Sequence, residues 1–133
     1  MVPEKILVVD DEPEALKLIK IELESEGYRV WTAETGREAV HRAQQTLPDL
    51  ILMDIMLPDM TGGEVVKVLK AHPPTDRISI IFFTALFSKK EEKEHRMLNV
   101  DNHEYLTIAK PFTAKEFLAQ IMKALAKEDV EKR

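Results

Sequence analysis

The sequence predicts an α/β fold, a five-stranded parallel sheet with helices on both faces. Two observations carry that expectation. Short apolar runs rich in Ile, Val and Leu alternate with longer stretches of helical spacing, and several of those stretches open on a Ser/Thr-x-x-Glu signature. Residues 5–10 (KILVVD), 50–54 (LILMD) and 78–84 (ISIIFFT) are near-continuous apolar runs, the pattern of strands buried on both sides. Residues 28–33 (YRVWTA) and 105–109 (YLTIA) are more mixed and read as strands nearer the edges.

The helices follow in order. Residues 19–24 (IKIELE) alternate like a strand, but the Leu, Lys and Glu content, Pro13 and Gly27 predict a helix over 13–26. Capping boxes at Thr35–Glu38, Thr61–Glu64, Ser88–Glu91 and Thr113–Glu116 mark four more helix starts. In each, the hydroxyl accepts from an orphan helix N–H and the Glu reaches back to another. Phe117, Leu118, Ile121, Ala124 and Leu125 supply the apolar stripe of the last helix.

At 133 residues the chain suits one domain, expected over 1–127 with 128–133 as a C-terminal tail. It is 44% hydrophobic and 32% charged, as a globular protein should be. A net charge of −5 argues against binding nucleic acid through its phosphates. Without cysteine there is neither a disulfide framework nor a thiolate metal site. The start, MVPEK, lacks the apolar core of a signal peptide, and no apolar run reaches membrane-spanning length. A cytoplasmic protein with no membrane contact is expected.

In a parallel sheet of this kind ligands bind outside the C-terminal strand ends. Those ends carry Asp10 and Asp11, Asp54, Thr84, and Lys110 followed by Pro111. Adjacent carboxylates about 4 Å apart repel by roughly 4 kcal/mol at an effective dielectric of ~20, so a counter-charge is needed. Hard oxygen ligands with positions to spare for water and phosphate suit Mg²⁺, with Mn²⁺ as the alternative. A phosphoryl group held there would find its oxygens neutralised by the metal, Lys110 and the Thr84 hydroxyl. The carboxylate best placed for in-line attack would become an aspartyl-phosphate. Bland readings compete: Asp11 alone could cap the first helix, with Pro13 at a favoured early position. Asp49 and Asp59 read as turn residues, Trp31 as packing, and the histidines at 41, 72, 95 and 103 as surface groups without ligand spacing. The run KKEEKEHR at 89–96 reads as a solvated helix face.

The ordered set ILVVDDE, PDLILMDIMLPDMTG, FFTA and KPF resembles the receiver domain of bacterial two-component response regulators, of the single-domain, chemotaxis-regulator-like kind. The resemblance implies a flavodoxin-like (βα)5 sheet of order 2-1-3-4-5. It implies Asp54 as phosphoacceptor, with Thr84 and Lys110 contacting phosphoryl oxygens and a cis Lys110–Pro111 bond. Asp11 would bind the metal directly, Asp10 mainly through water, alongside Asp54 and the backbone carbonyl of Met56. The donor would be a phosphohistidine on a sensor histidine kinase or phosphotransfer protein. The output would be a protein target bound through the helix-four/strand-five/helix-five face, by a monomer or weak dimer. The chain departs from the family at Thr107, where a switch aromatic usually stands, with Tyr105 two residues earlier. The usual Gly-Ala near the end of helix four is missing, and the chain reads LNVDNH at 98–103. Met56 and Leu86 are bulky where water access is tuned, and are expected to slow loss of phosphate. A haloacid-dehalogenase-type phosphohydrolase is the runner-up, but Asp54-Ile-Met56 lacks that family's second Asp. A degenerate, unphosphorylated interaction domain is the third reading.

Overall fold

The structure, a computed structural model, describes residues 4–84, 97–100, 103–109 and 119. The chain runs β1 (Lys5–Val9), α1 (Pro13–Ser25), β2 (Arg29–Ala33), α2 (Gly36–Thr46), β3 (Leu50–Asp54) and α3 (Gly62–Lys70). A 3₁₀ turn at Thr75–Arg77 then leads to β4 (Ser79–Thr84), β5 (Met97–Val100) and β6 (His103–Ala109). The sheet order is β2-β1-β3-β4-β6-β5. Every pairing through β6 is parallel, so the expected 2-1-3-4-5 order holds with β6 in the fifth place.

Strand alternation builds two cores. Leu7, Val9, Ile51, Met53, Ile80 and Phe82 face one side, where Ala39 and Ala43 of α2 and Val65, Val66 and Leu69 of α3 cover them. Ile6, Val8, Leu50, Leu52, Ile81 and Phe83 face the other, under Leu16, Ile19 and Leu23 of α1. This two-sided burial is why the central strands read as unbroken apolar runs.

The ambiguous stretch at 19–24 is helical. Ile19 and Leu23, four residues apart, are buried while Ile21 between them is 55% exposed, the opposite of what a strand would do. Gly27, at φ +94°, ends α1: its N–H bonds the Glu24 carbonyl and the Tyr28 N–H bonds the Leu23 carbonyl, the paired bonds of a Schellman motif. Thr61 and Glu64 form the full capping box at α3. At α2 Thr35 accepts from the Glu38 N–H, but the Glu38 carboxylate reaches one residue further back, to the N–H of Glu34. The boxes at Ser88 and Thr113 lie outside the described residues.

β5 is an addition to the expected sheet, and it runs antiparallel to β6. It pairs Leu98 with Tyr105 and Val100 with His103. Asp101 and Asn102, which separate the two strands in sequence, lie outside the described residues. Val100 is buried and stands near α3 at Gly63. Of the LNVDNH departure, residues 98–100 thus fall on β5 and His103 on β6.

Gly62 sits where α3 meets the end of β3. A Cβ there would lie 2.8 Å from the Asp54 carbonyl oxygen and 2.8 Å from the Phe82 ring, whereas one on Gly63 meets only ordinary contacts. Gly62→Ala should therefore destabilise the fold by about 1–3 kcal/mol. Gly63→Ala should stabilise it by up to about 1 kcal/mol through helix propensity. Urea unfolding of the two variants reads both signs, and equal effects would contradict the packing argument.

Candidate functional site

The site begins with register. β1 and β3 pair Val9 with Met53, so Asp10 and Asp54 follow side by side at the C-terminal edge. β3 and β4 pair Asp54 with Phe83, which brings Thr84 to the same edge, and Thr84 in turn pairs with Ala109, the residue before Lys110. The backbone thus brings the ends of β1, β3, β4 and β6 together as expected. The Thr84 side chain and all of Lys110, with the Lys110–Pro111 bond, lie outside the described residues.

Asp10 is fully buried and Asp54 is 8% exposed, while Asp11 and Glu12 face solvent. Asp10 Oδ1 accepts the Glu12 N–H at 3.1 Å, and the Asp10 N–H donates to the Ala33 carbonyl at 3.1 Å. The carboxylates of Asp10, Asp11 and Glu12 offer oxygens within 4.8 Å of one another. The Asp11 carboxyl is held above its ordinary value of 3.8, first by a hydrogen bond with the Asp10 side chain, then by partial desolvation and the charges of Asp10 and Asp54. A proton is one way to relieve this crowding of negative charge, and a divalent cation is the other. Hard oxygens converging on one point, with solvent on one side, fit Mg²⁺ chemistry.

Two expectations change here. Asp11 does not cap α1: the N-cap residue is Glu12, with no side-chain capping bond, and Pro13 opens the helix. Glu12 joins the acidic group, although the sequence reading passed over it. Its signal was present, since it directly follows the aspartate pair.

The loop after Asp54 is tied at many points. The Met56 N–H donates to Asp54 Oδ1 at 3.2 Å, Met56 bridges Thr61, and the Gly62 N–H donates to the Ile55 carbonyl at 2.6 Å. Leu57 is buried and the Met56 side chain is 55% exposed, while its expected companion Leu86 lies outside the described residues. Asp59, read as a plain turn residue, accepts the N–H of Gly36 at 2.7 Å on one oxygen and that of Arg37 at 2.9 Å on the other. Those bonds hold the Asp59 carboxyl below its ordinary value. Local spacing could not have found this contact, which joins residues 23 and 22 positions apart. Asp49 does similar work elsewhere, accepting the Lys5 N–H at 2.8 Å at the start of β1.

Other candidates fall as expected or nearly so. His41, His72 and His103 are exposed. Trp31 packs on the core with the Arg29 guanidinium 5.2 Å from its ring. Tyr105 is half-buried and meets Phe82 edge-on at 5.8 Å, while Thr107 pairs with Phe82 across the strands.

The family model for the response regulator receiver domain matches residues 6–122. The chain belongs to the response regulator receiver domain family. This receiver is 37% identical over 117 residues to the phosphate regulon regulator PhoB of Rhizobium meliloti, covering 88% of this chain and 50% of that protein. It is 34% identical to the polar-differentiation response regulator DivK of Brucella anthropi, over 90% of this chain and 94% of DivK. The chain spans about half the length of the first curated relatives it matches. A CheY-like receiver from Methanospirillum hungatei superposes with TM-score 0.81 at 30% identity, covering 98% of this chain and 99% of that one. The receiver domain of a Pseudomonas aeruginosa sensor histidine kinase, with magnesium coordinated in its active site cleft, superposes at 0.78 with 29% identity, covering 94% and 99%. Receiver domains are the regulatory phosphoacceptors of two-component systems, and no relative supports the phosphohydrolase or the degenerate reading. No helix among the described residues of this receiver is long and apolar enough to cross a membrane.

The lowered carboxyl of Asp59 sets a pH dependence. Its stabilisation is present above the ordinary value of 3.8 and is lost as pH falls through the lower folded value. The thermal midpoint of Asp59→Ala should lie below wild type at neutral pH, with the gap closing under strong acid. A gap constant across that range would assign the loss to packing instead.

Proposed function

We propose that this receiver accepts a phosphoryl group on Asp54 from a phosphohistidine donor in a Mg²⁺-dependent reaction, and that phosphorylation switches its binding to a protein target. One observation supports the reading: the pairing of Val9 with Met53 brings the ends of β1 and β3 together, so Asp54 follows at the same sheet edge as Asp10, near enough for its charge to act on Asp11. An Asp54 oxygen forms the P–O bond as the P–N bond to the donor breaks, and the leaving imidazole nitrogen takes up a proton. Asp11 would bind the metal directly and Asp10 mainly through water, with Asp54 and the Met56 carbonyl as the other ligands. The bound cation would neutralise the carboxylates and the incoming phosphoryl oxygens. Thr84 and Lys110 hold the remaining phosphoryl oxygens. The magnesium in the cleft of the P. aeruginosa receiver supports the choice of metal.

The receiver unit takes in residues 1–127 with 128–133 as a tail, a span that the family match over 6–122 supports. Its donor is a sensor histidine kinase or phosphotransfer protein in the cytoplasm. Its target docks on the helix-four/strand-five/helix-five face that the resemblance implies, whose two helices lie outside the described residues, and the unit acts as a monomer or weak dimer.

Incubation with Mg²⁺ and acetyl phosphate, followed by intact-mass measurement, should add the mass of one phosphoryl group to wild type and none to Asp54→Asn. Equal uptake by the variant would move the acceptor elsewhere, and rapid turnover of phosphate esters would favour the hydrolase. In a Mg²⁺ titration, Asp11→Ala should weaken binding more than Asp10→Ala, and by at least the roughly tenfold that loss of an outer partner of a metal ligand costs. The reverse order would exchange their roles.

A further inference from the structure

Hydrogen bonds and strand pairing close a ring around the acidic site. The Asp10 N–H holds the Ala33 carbonyl at the end of β2. Three residues on, α2 begins, and its Gly36 and Arg37 N–H groups donate to the two oxygens of Asp59. Asp59 lies in the loop that runs back to Met56 and Asp54, and the Val9–Met53 pair returns the ring to β1. Within this ring the link between α2 and the loop rests on Asp59, with Met60 packed so closely on Gly36 that a Cβ there would overlap its side chain.

We propose that Asp59 is a positioning residue for the metal: by clamping the loop to the α2 N-terminus it sets the Met56 carbonyl at its distance from Asp10 and Asp11. The inference rests on the metal site of the preceding section. Asp59 touches no ligand of the cation in this scheme. It acts through the backbone of a short loop: the Met56–Thr61 bridge, the Met56–Asp54 bond and the Gly62–Ile55 bond hold the base, and the Asp59 bonds add the restraint on the tip. Two parallel bonds from adjacent N–H groups restrain both position and rotation of the loop tip, which one bond would not. Without the Asp59 bonds the Met56 carbonyl is held from the base of the loop alone, and the remaining freedom must be removed by the cation at a cost in affinity.

Calorimetric titration with Mg²⁺ alone, on the full chain, tests this. Asp59→Ala should raise the dissociation constant several-fold, below the roughly tenfold that outer partners bonded to a metal ligand contribute, since Asp59 bonds none of the ligands. Asp59→Asn keeps an acceptor oxygen and should fall between Ala and wild type. Arg37→Ala keeps the backbone N–H and should bind as wild type does. A purely structural Asp59 would lower the thermal midpoint of the metal-free protein but leave the Mg²⁺ constant of the folded protein unchanged, which overturns the proposal. Equal losses in Asn and Ala that vanish in high salt would assign the effect to Asp59's charge and overturn it as well. Asp11→Ala in the same series separates the two readings. If it binds Mg²⁺ as wild type does, or wild type binds none, the metal site fails and the clamp with it. If Asp11→Ala loses binding and Asp59→Ala keeps it, the clamp alone fails.

Discussion

The parallel pairing of β1 with β3 is the constraint on which the rest depends. It sets Val9 opposite Met53, and from that register two carboxylates emerge side by side at the edge of a sheet covered on both faces. The covering helices are what make the strands apolar throughout, and the same coverage pushes polar function out to the strand ends. A one-residue slip would turn the core side chains of a whole strand to the wrong face, so the register is held by the full depth of both cores.

The acidic edge is costly by itself. Asp10 is fully buried, and Asp11 shares a hydrogen bond with it that holds the Asp11 carboxyl protonated over a wider pH range than usual. Such a site gains from any species that brings positive charge, and a cation offsets several carboxylates at once. The helices contribute on the other side of the ledger. The N-termini of α2 and α3 each receive a carboxylate, Asp59 and Glu64 respectively, where the backbone N–H groups and helix dipole favour negative charge.

The loop between β3 and α3 is where fold and chemistry meet. Gly62 lets α3 approach the Asp54 carbonyl, Thr61 caps the helix, and Asp59 and Met60 dock on α2. A segment of this length without such ties would sample many positions, and the carbonyl of Met56 would wander with it. Rigid support beneath a few exposed polar groups is the usual division of labour in sites built on loops.

Much of this was legible in sequence because it is local or periodic. Two-sided strands, the Gly27 stop, the Thr61 capping box and the placing of Asp10, Asp54 and Thr84 at strand ends all follow from short-range patterns. The family motifs then tied those strand ends to one chemistry. Tertiary structure decided what depends on residues far apart in the chain: Asp59 capping α2, β5 pairing antiparallel with β6, and Glu12 rather than Asp11 standing at the N-cap of α1. Spacing and propensity determine which elements form. Which carboxylate meets which N–H across 20 or more residues is settled only when packing brings those elements together, since nothing in either local sequence encodes its partner.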